Sequence, residues 1–188
     1  MPKLIFFAGS ARKDSLNKKL ARAAEKIAKD LGAQTTYIDL RDYELPIFCE
    51  DIEAEHGMPE AAQKLKALFI EHDGFFIASP EYNSTFSPLL KNTLDWMSRG
   101  GADGTNCFKG KVTAIAAASP GPMGGLRGLP TLRNLLSNIA MHGTTVIPAQ
   151  CALGNAHKAF DDNGDLKTEN PFLTTCIKQL VETAEKLK

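Results

Sequence analysis

Apolar residues follow two alternating rhythms along this chain. Short, nearly unbroken runs occur at Leu4–Ala8, Gly74–Ala78 and Val112–Ala118, with more mixed runs at Thr35–Leu40 and Thr144–Ile147. An unbroken apolar run of strand length is what a strand buried on both faces requires, so the first three predict the interior of a parallel sheet. Between the runs, apolar positions fall three and four apart, the spacing of one helix face. They are Leu16, Leu20, Ala24, Ile27 and Leu31; then Ala62, Leu65, Leu68 and Phe69; then Leu90, Leu94 and Met97. Leu132, Leu135, Leu136 and Ile139 form a fourth set, and Leu173, Ile177, Leu180, Ala184 and Leu187 a fifth. Pro59, Ser87-Pro88 and Asn170-Pro171 stand where helices open. Strands alternating with helices through residues 1–188 predict one three-layer, doubly wound α/β domain. Two connections, Arg41 to Met58 and Pro148 to Asn170, are long for such a domain.

Three strands run directly into polar or glycine-rich segments. The first is followed by Gly9-Ser10-Ala11-Arg12-Lys13-Asp14-Ser15-Leu16-Asn17, the third by Ser79-Pro80-Glu81-Tyr82-Asn83-Ser84, and the fourth by Ser119-Pro120-Gly121-Pro122-Met123-Gly124-Gly125. In a five-stranded parallel sheet ordered 2-1-3-4-5 these strands are neighbours, and ligands bind beyond their carboxyl ends at the switch point. The three segments then meet in one crevice. The first has the donors of a phosphate cradle: Ser10, Ser15, Asn17, the amides of the helix start and the guanidinium of Arg12. There is no GxxxxGK[ST] and no GxGxxG, which argues against a nucleoside triphosphate and an ordinarily bound dinucleotide and leaves a terminal monophosphate. In the second segment Pro80 stiffens the strand exit and Tyr82 offers an aromatic surface to a flat ligand. The glycines of the third permit close backbone approach.

Composition narrows the partners. Lysine plus arginine number 22 and aspartate plus glutamate 22, so no net charge draws the chain to nucleic acid or to an acidic membrane. No apolar run has the length of a membrane span, and no leader-like start is visible, which predicts a soluble, cytoplasmic protein. Cys49, Cys107, Cys151 and Cys176 are widely spaced and predict free thiols; none pairs with a histidine at metal-ligand spacing. His56, His72, His142 and His157 all lie outside the three polar segments, so no general acid or base is assigned, and no metal site.

Gly9–Asn17 matches GSxRxxSxN without a gap, and Pro80–Ser84 reads PEYN followed by a small residue. With "SPLLKNTLDW" at Ser87–Trp96 and "SPGPMGGLRG" from Ser119, these stretches resemble the NADPH-dependent FMN reductases, whose members include quinone, chromate and azo-dye reductases. The proline spacing at Pro120 and Pro122 departs from the family's usual third segment. The resemblance covers about Lys3 to Pro148 and implies a flavodoxin-like fold. It implies FMN with its phosphate among Gly9, Ser10, Arg12, Ser15, Leu16 and Asn17, and its ring against Pro80, Glu81, Tyr82 and Asn83. Ser119, Gly121, Gly124 and Gly125 close the other side. NADPH or NADH then delivers hydride to the flavin, and a quinone-like or other small electron acceptor removes it. Family members are commonly homodimers or homotetramers with the flavin near the interface; Trp96, Met97 and Arg99 are candidates for that surface, with core packing the favoured alternative for Trp96. Two alternatives remain: a flavodoxin-type carrier, which the neutral charge disfavours, and a non-enzymatic flavin or redox sensor, for which Cys49 offers a thiol. A hydrolase lacks its GxSxG elbow.

Overall fold

The computed structural model describes residues 1–100, 105–139 and 143–188. Its centre is a five-stranded parallel sheet of β1 (Lys3–Ala8), β2 (Gln34–Tyr37), β3 (Gly74–Ala78), β6 (Val112–Ala118) and β7 (Thr145–Leu153), in the order β2-β1-β3-β6-β7. Strands β4 (Glu81–Tyr82) and β5 (Thr85–Phe86) form a separate hairpin. With that hairpin set aside, the order is the 2-1-3-4-5 of the sequence reading, and the fold is flavodoxin-like.

The strand pleat divides the core in two. Leu4, Phe6, Ala8, Phe76, Ala78, Ala114 and Ala116 face α1 (Leu16–Asp30) and α6 (Pro171–Lys186). Ile5, Phe7, Phe75, Ile77, Ile115 and Ala117 face α3 (Glu60–Glu71), α4 (Pro88–Ser98) and α5 (Gly128–Asn138). Alternate residues of each inner strand thus serve opposite layers, and the strands read as unbroken apolar runs for that reason. The second layer contains an aromatic knot. The Phe69 ring lies 4.3 Å from Phe75, 5.6 Å from Phe7 and 6.1 Å from Phe108, centroid to centroid.

Several sequence expectations are corrected. The last strand does not stop at Ile147 but continues to Leu153, so the connection to α6 is shorter than the reading from Pro148. Proline is tolerated there because the strand bulges: while β6 advances from Thr113 to Ile115, β7 advances from Val146 to Gln150. The Arg133 guanidinium fills the bulge, donating to the carbonyls of Val146, Ile147 and Pro148 and to Gln150 Oε1. The long segment before Met58 holds a 3-10 turn at Leu40–Asp42 and a short helix, α2 (Glu50–His56), with no buried residue and hence no apolar period to read. Of the two readings of Trp96, core packing is the one the structure shows: Trp96 is fully buried, with Nε1 donating to Pro46 O at 2.8 Å, and Met97 is buried beside it on α4. Arg99 pairs with Glu53.

Candidate functional site

The three polar segments meet at the carboxyl ends of β1, β3 and β6, and specific hydrogen bonds hold them there. Gly9 N donates to Ala78 O at 2.9 Å, and Ser79 N donates to Ala116 O at 2.8 Å. Ser119 N donates to Leu153 O at 3.2 Å. Each strand end is therefore tied to its neighbour, and residues far apart in sequence share one rim. Ser87 adds a cross-link. Its buried Oγ donates to Gly9 O at 2.5 Å while accepting from Leu90 N at 3.2 Å, so the residue that caps α4 also fixes the first segment. Gly9 is required by this proximity, since a Cβ there would lie 2.9 Å from Leu90 Cβ.

In the first segment Ser15 caps α1 by accepting from Lys18 N at 3.4 Å, and Leu16 and Asn17 open the helix. Their N–H groups have no acceptor inside the helix, and the positive end of its dipole points the same way. Ser10 Oγ accepts from Arg12 N at 3.3 Å. Among the described residues, the Ser10 and Ala11 N–H groups meet no protein acceptor, and the exposed Arg12 guanidinium has no carboxylate partner. Unclaimed amides, a hydroxyl and a free guanidinium around one turn form a donor set that fits a phosphate monoester. Leu16 turns its side chain into the core beneath.

Two predicted contact residues have side-chain partners within the protein. The Asn17 carboxamide is buried and doubly bonded to Ala118: Nδ2 donates to Ala118 O and Oδ1 accepts from Ala118 N, both at 2.9 Å. Glu81 points its carboxylate at the start of α5, accepting from Gly128 N and Arg127 Nε at 3.2 Å each. That carboxylate sits at the favourable end of the α5 dipole and locks the hairpin to the helix. No short-range signal marks either role, because each partner lies on a distant strand or helix.

The second segment is a tight hairpin rather than an open loop. Asn83 (φ 51°) and Ser84 (φ 66°) occupy its two turn positions with left-handed backbone, as a type I′ connection requires. Pro80 and Glu81 are half-buried, while Tyr82 and Asn83 are exposed at the tip. In the third segment Ser119 Oγ donates to Gly121 O, and Gly121 is exposed, a Cβ there meeting only Ser119 Oγ at an ordinary 3.7 Å. Gly124 and Gly125 are buried with positive φ; a Cβ on Gly124 would meet the β7 backbone at 2.7 Å, and one on Gly125 would meet Ala117 Cβ at 2.8 Å. These two glycines let the segment lie flat on the sheet end. Tyr82, Met123 and Leu126 leave an apolar rim around the crevice, 48, 54 and 40 % exposed.

Below the first segment, Lys18 Nζ pairs with Asp39 at 2.6 Å, its side chain almost wholly buried. Burial alone would push the Asp39 carboxyl up, but hydrogen bonds from Lys18 and from Arg41 N outweigh it and hold the group below the usual carboxylate range. A depressed carboxyl contributes stability above its unfolded pKa and loses it as pH falls through the folded value. Asp39→Asn should therefore cost up to about 3 kcal/mol at neutral pH. Urea titrations across the acid range check this: the difference from the parent chain should shrink as pH drops below the ordinary carboxylate range.

The cavity of about 760 Å³ bounded by Met58, Lys66, Ile70 and Arg99 contains no residue of the three segments. His72 is structural, bonded to Thr36 Oγ1 and Leu68 O, His56 is exposed on α2, and His142 lies outside the described residues. His157 is exposed in the turn Ala156–Lys158, which is tied to the third segment by Ala156 N donating to Ser119 O at 3.0 Å. Burial pushes the thiols of Cys107 and Cys176 up to about 12 and that of Cys151 to about 11, so they stay protonated and inert at neutral pH. Cys49 is half-buried at the start of α2. Among the described residues there is no metal-ligating cluster, and no helix is long and apolar enough to cross a membrane.

Comparison with known proteins agrees with the site's chemistry. Residues 2–158 match the family model described as NADPH-dependent FMN reductase. A quinone reductase of Pseudomonas putida is 34 % identical over 170 residues, covering 90 % of this chain and 87 % of that protein. An NAD(P)H:quinone oxidoreductase of Solanum tuberosum is 34 % identical over 142 residues, covering 74 % and 70 %. Among solved structures, the flavoenzyme NAD(P)H:(acceptor) oxidoreductase FerB from Paracoccus denitrificans superposes with a TM-score of 0.83 at 29 % identity, covering 99 % of this chain and 98 % of that one. The crevice with its unclaimed anion donors, the sheet order and the family match lead to one statement: the chain belongs to the NADPH-dependent FMN reductase family and is an FMN-dependent oxidoreductase using NAD(P)H.

Proposed function

We propose that this domain, residues 1–188, reduces quinone-type acceptors with electrons from NADPH or NADH at the three-segment crevice. The carrying observation is the set of unclaimed donors at Ser10, Ala11 and Arg12 beside the opening of α1, placed next to an apolar rim. The named quinone reductases among the relatives support the acceptor class. When bound, FMN supplies the redox chemistry, accepting a hydride from the nicotinamide and passing two electrons to the acceptor.

The protein's part is binding and orientation. Ser10, Arg12, Ser15 and the first-turn amides of Leu16 and Asn17 hold the phosphate. Backbone groups of Pro80–Asn83 would hold the ring, with the exposed Tyr82 as an aromatic contact. Ser119 and Gly121 line the other side, where Gly124 and Gly125 allow the chain to pass close to the sheet end. Gly9 lets α4 pack under the cradle. No side chain is given a proton-transfer role: the one proton that a quinone would need beyond the hydride can come from water at the open rim. A second copy of the chain covering Tyr82, Met123 and Leu126 would shield the flavin, which supports a homodimer or homotetramer. Free thiols at Cys49, Cys107, Cys151 and Cys176 support a cytoplasmic setting.

The test is NADPH and NADH oxidation by the FMN-loaded protein across a series of benzoquinones and naphthoquinones. Turnover that depends on added quinone and outpaces oxygen is expected. Loaded protein that oxidises neither nicotinamide in the presence of any quinone would defeat the proposal and return a carrier or sensor.

A further inference from the structure

The signature that places Asn17 beside a phosphate also places its carboxamide where no phosphate can compete for it. Asn17 is 3 % exposed, and its carbonyl and amino groups both face the peptide of Ala118, the last residue of β6. The pair is 101 positions apart in sequence, and its two bonds are each 2.9 Å. A carboxamide closing a ring with one residue's N–H and C=O mimics a strand neighbour, and it satisfies both groups where the sheet ends. Ala118 directly precedes Ser119, the first residue of the third segment, and Asn17 is in the first turn of α1, directly behind the anion cradle. One side chain therefore joins the segment for the phosphate to the segment for the ring. The cradle's other end is fixed separately, by Gly9 N on Ala78 O and Ser87 Oγ on Gly9 O.

We infer that Asn17 is a positioning residue that couples the phosphate cradle to the ring-side segment through Ala118, and is not a phosphate ligand by its side chain. This rests on the reading of the crevice as an FMN site. A side-chain phosphate ligand acts on the phosphate alone. A clasp between the two segments acts on the whole flavin, because without it the third segment no longer sits at a fixed distance from the cradle. The two roles separate when ligands with and without the phosphate are compared.

The experiment measures flavin fluorescence on titrating Asn17→Ala and Asn17→Ser with FMN and with riboflavin, alongside the parent chain and Arg12→Ala, with thermal melts of each apo protein. Both Asn17 variants should lose about tenfold or more in affinity for FMN and riboflavin alike, leaving the ratio of the two affinities near the parent value. Arg12→Ala should lose FMN affinity and largely keep that for riboflavin. A general loss of stability would lower the melting temperature yet leave the affinity of the folded protein for both flavins unchanged, and that result overturns the proposal. So does a loss confined to FMN. Should the variants fail to fold, amide hydrogen exchange on the unaltered apo chain decides: a protected Ala118 N–H supports the clasp, and a fast-exchanging one overturns it. Parent protein that binds neither flavin would defeat the functional reading itself, an outcome distinct from either pattern in the variants.

Discussion

Arg12→Ala is expected to weaken FMN binding by roughly ten- to a hundredfold, the range for a charge-assisted hydrogen bond of about 1.5–3 kcal/mol. The structure supplies the reason. Arg12 is exposed at the mouth of the cradle, and among the described residues its guanidinium has no carboxylate partner, so its charge is free for a ligand. The neighbouring cation Lys18 cannot replace it, because its ammonium is held by Asp39 at 2.6 Å. The fold should be untouched, since the Arg12 side chain makes no contact that the core needs. The loss should also depend on salt: at high ionic strength the parent chain approaches the variant as screening weakens the long-range part of the attraction. Isothermal titration of both proteins with FMN at low and high salt measures both effects. Equal affinities at low salt would remove Arg12 from the site.

The second large effect falls on stability. Phe69→Ala is expected to cost about 3–5 kcal/mol, as for other buried aromatic truncations. For a chain of this size that is a fall in melting temperature of roughly 6–20 °C. Phe69 is fully buried on α3 and is the ring that Phe7, Phe75 and Phe108 share. Its removal leaves a void under β1 and β3 which rings on rigid strands cannot collapse to fill. The folded fraction should still bind FMN with the parent affinity, because the three segments are held at the strand ends by backbone bonds that do not involve Phe69. Calorimetric melts with a parallel FMN titration check the two halves together. A small change in melting temperature would mean that the layer repacks, contrary to the account of the knot.

These two residues also mark how far the sequence could be read. The inner strands were legible because burial on both faces leaves an unbroken apolar run, and the helices because each buries one stripe. Arg12 differs in kind: its guanidinium is exposed and has no carboxylate partner among the described residues, so the role proposed for it depends only on its place between a strand and a helix start. Asn17 and Glu81 were not legible in the same way. Their partners, Ala118 and Gly128, lie 101 and 47 positions away, and a local motif carries no information about which groups the fold will bring against a side chain. The end of β7 was hidden for the same reason. Pro148 reads as a stop, but the Arg133 guanidinium from α5 and the Gln179 carboxamide from α6 take up backbone groups of the bulge, and the strand continues. The helix α2 was hidden differently: with no buried face it has no period. The glycines of the third segment were legible as glycines, but the sheet end beneath Gly124 and Gly125, which a Cβ on either would strike, was not.

The most direct test of the central claim is an absorbance spectrum of the protein reconstituted with FMN, desalted, and then mixed with NADPH or NADH in the absence of oxygen. The account predicts a flavin spectrum retained in one-to-one ratio with the chain, bleached by nicotinamide straight to the two-electron reduced form and restored by one equivalent of quinone. Protein that emerges from desalting without flavin, or holds flavin that neither nicotinamide bleaches, would contradict it.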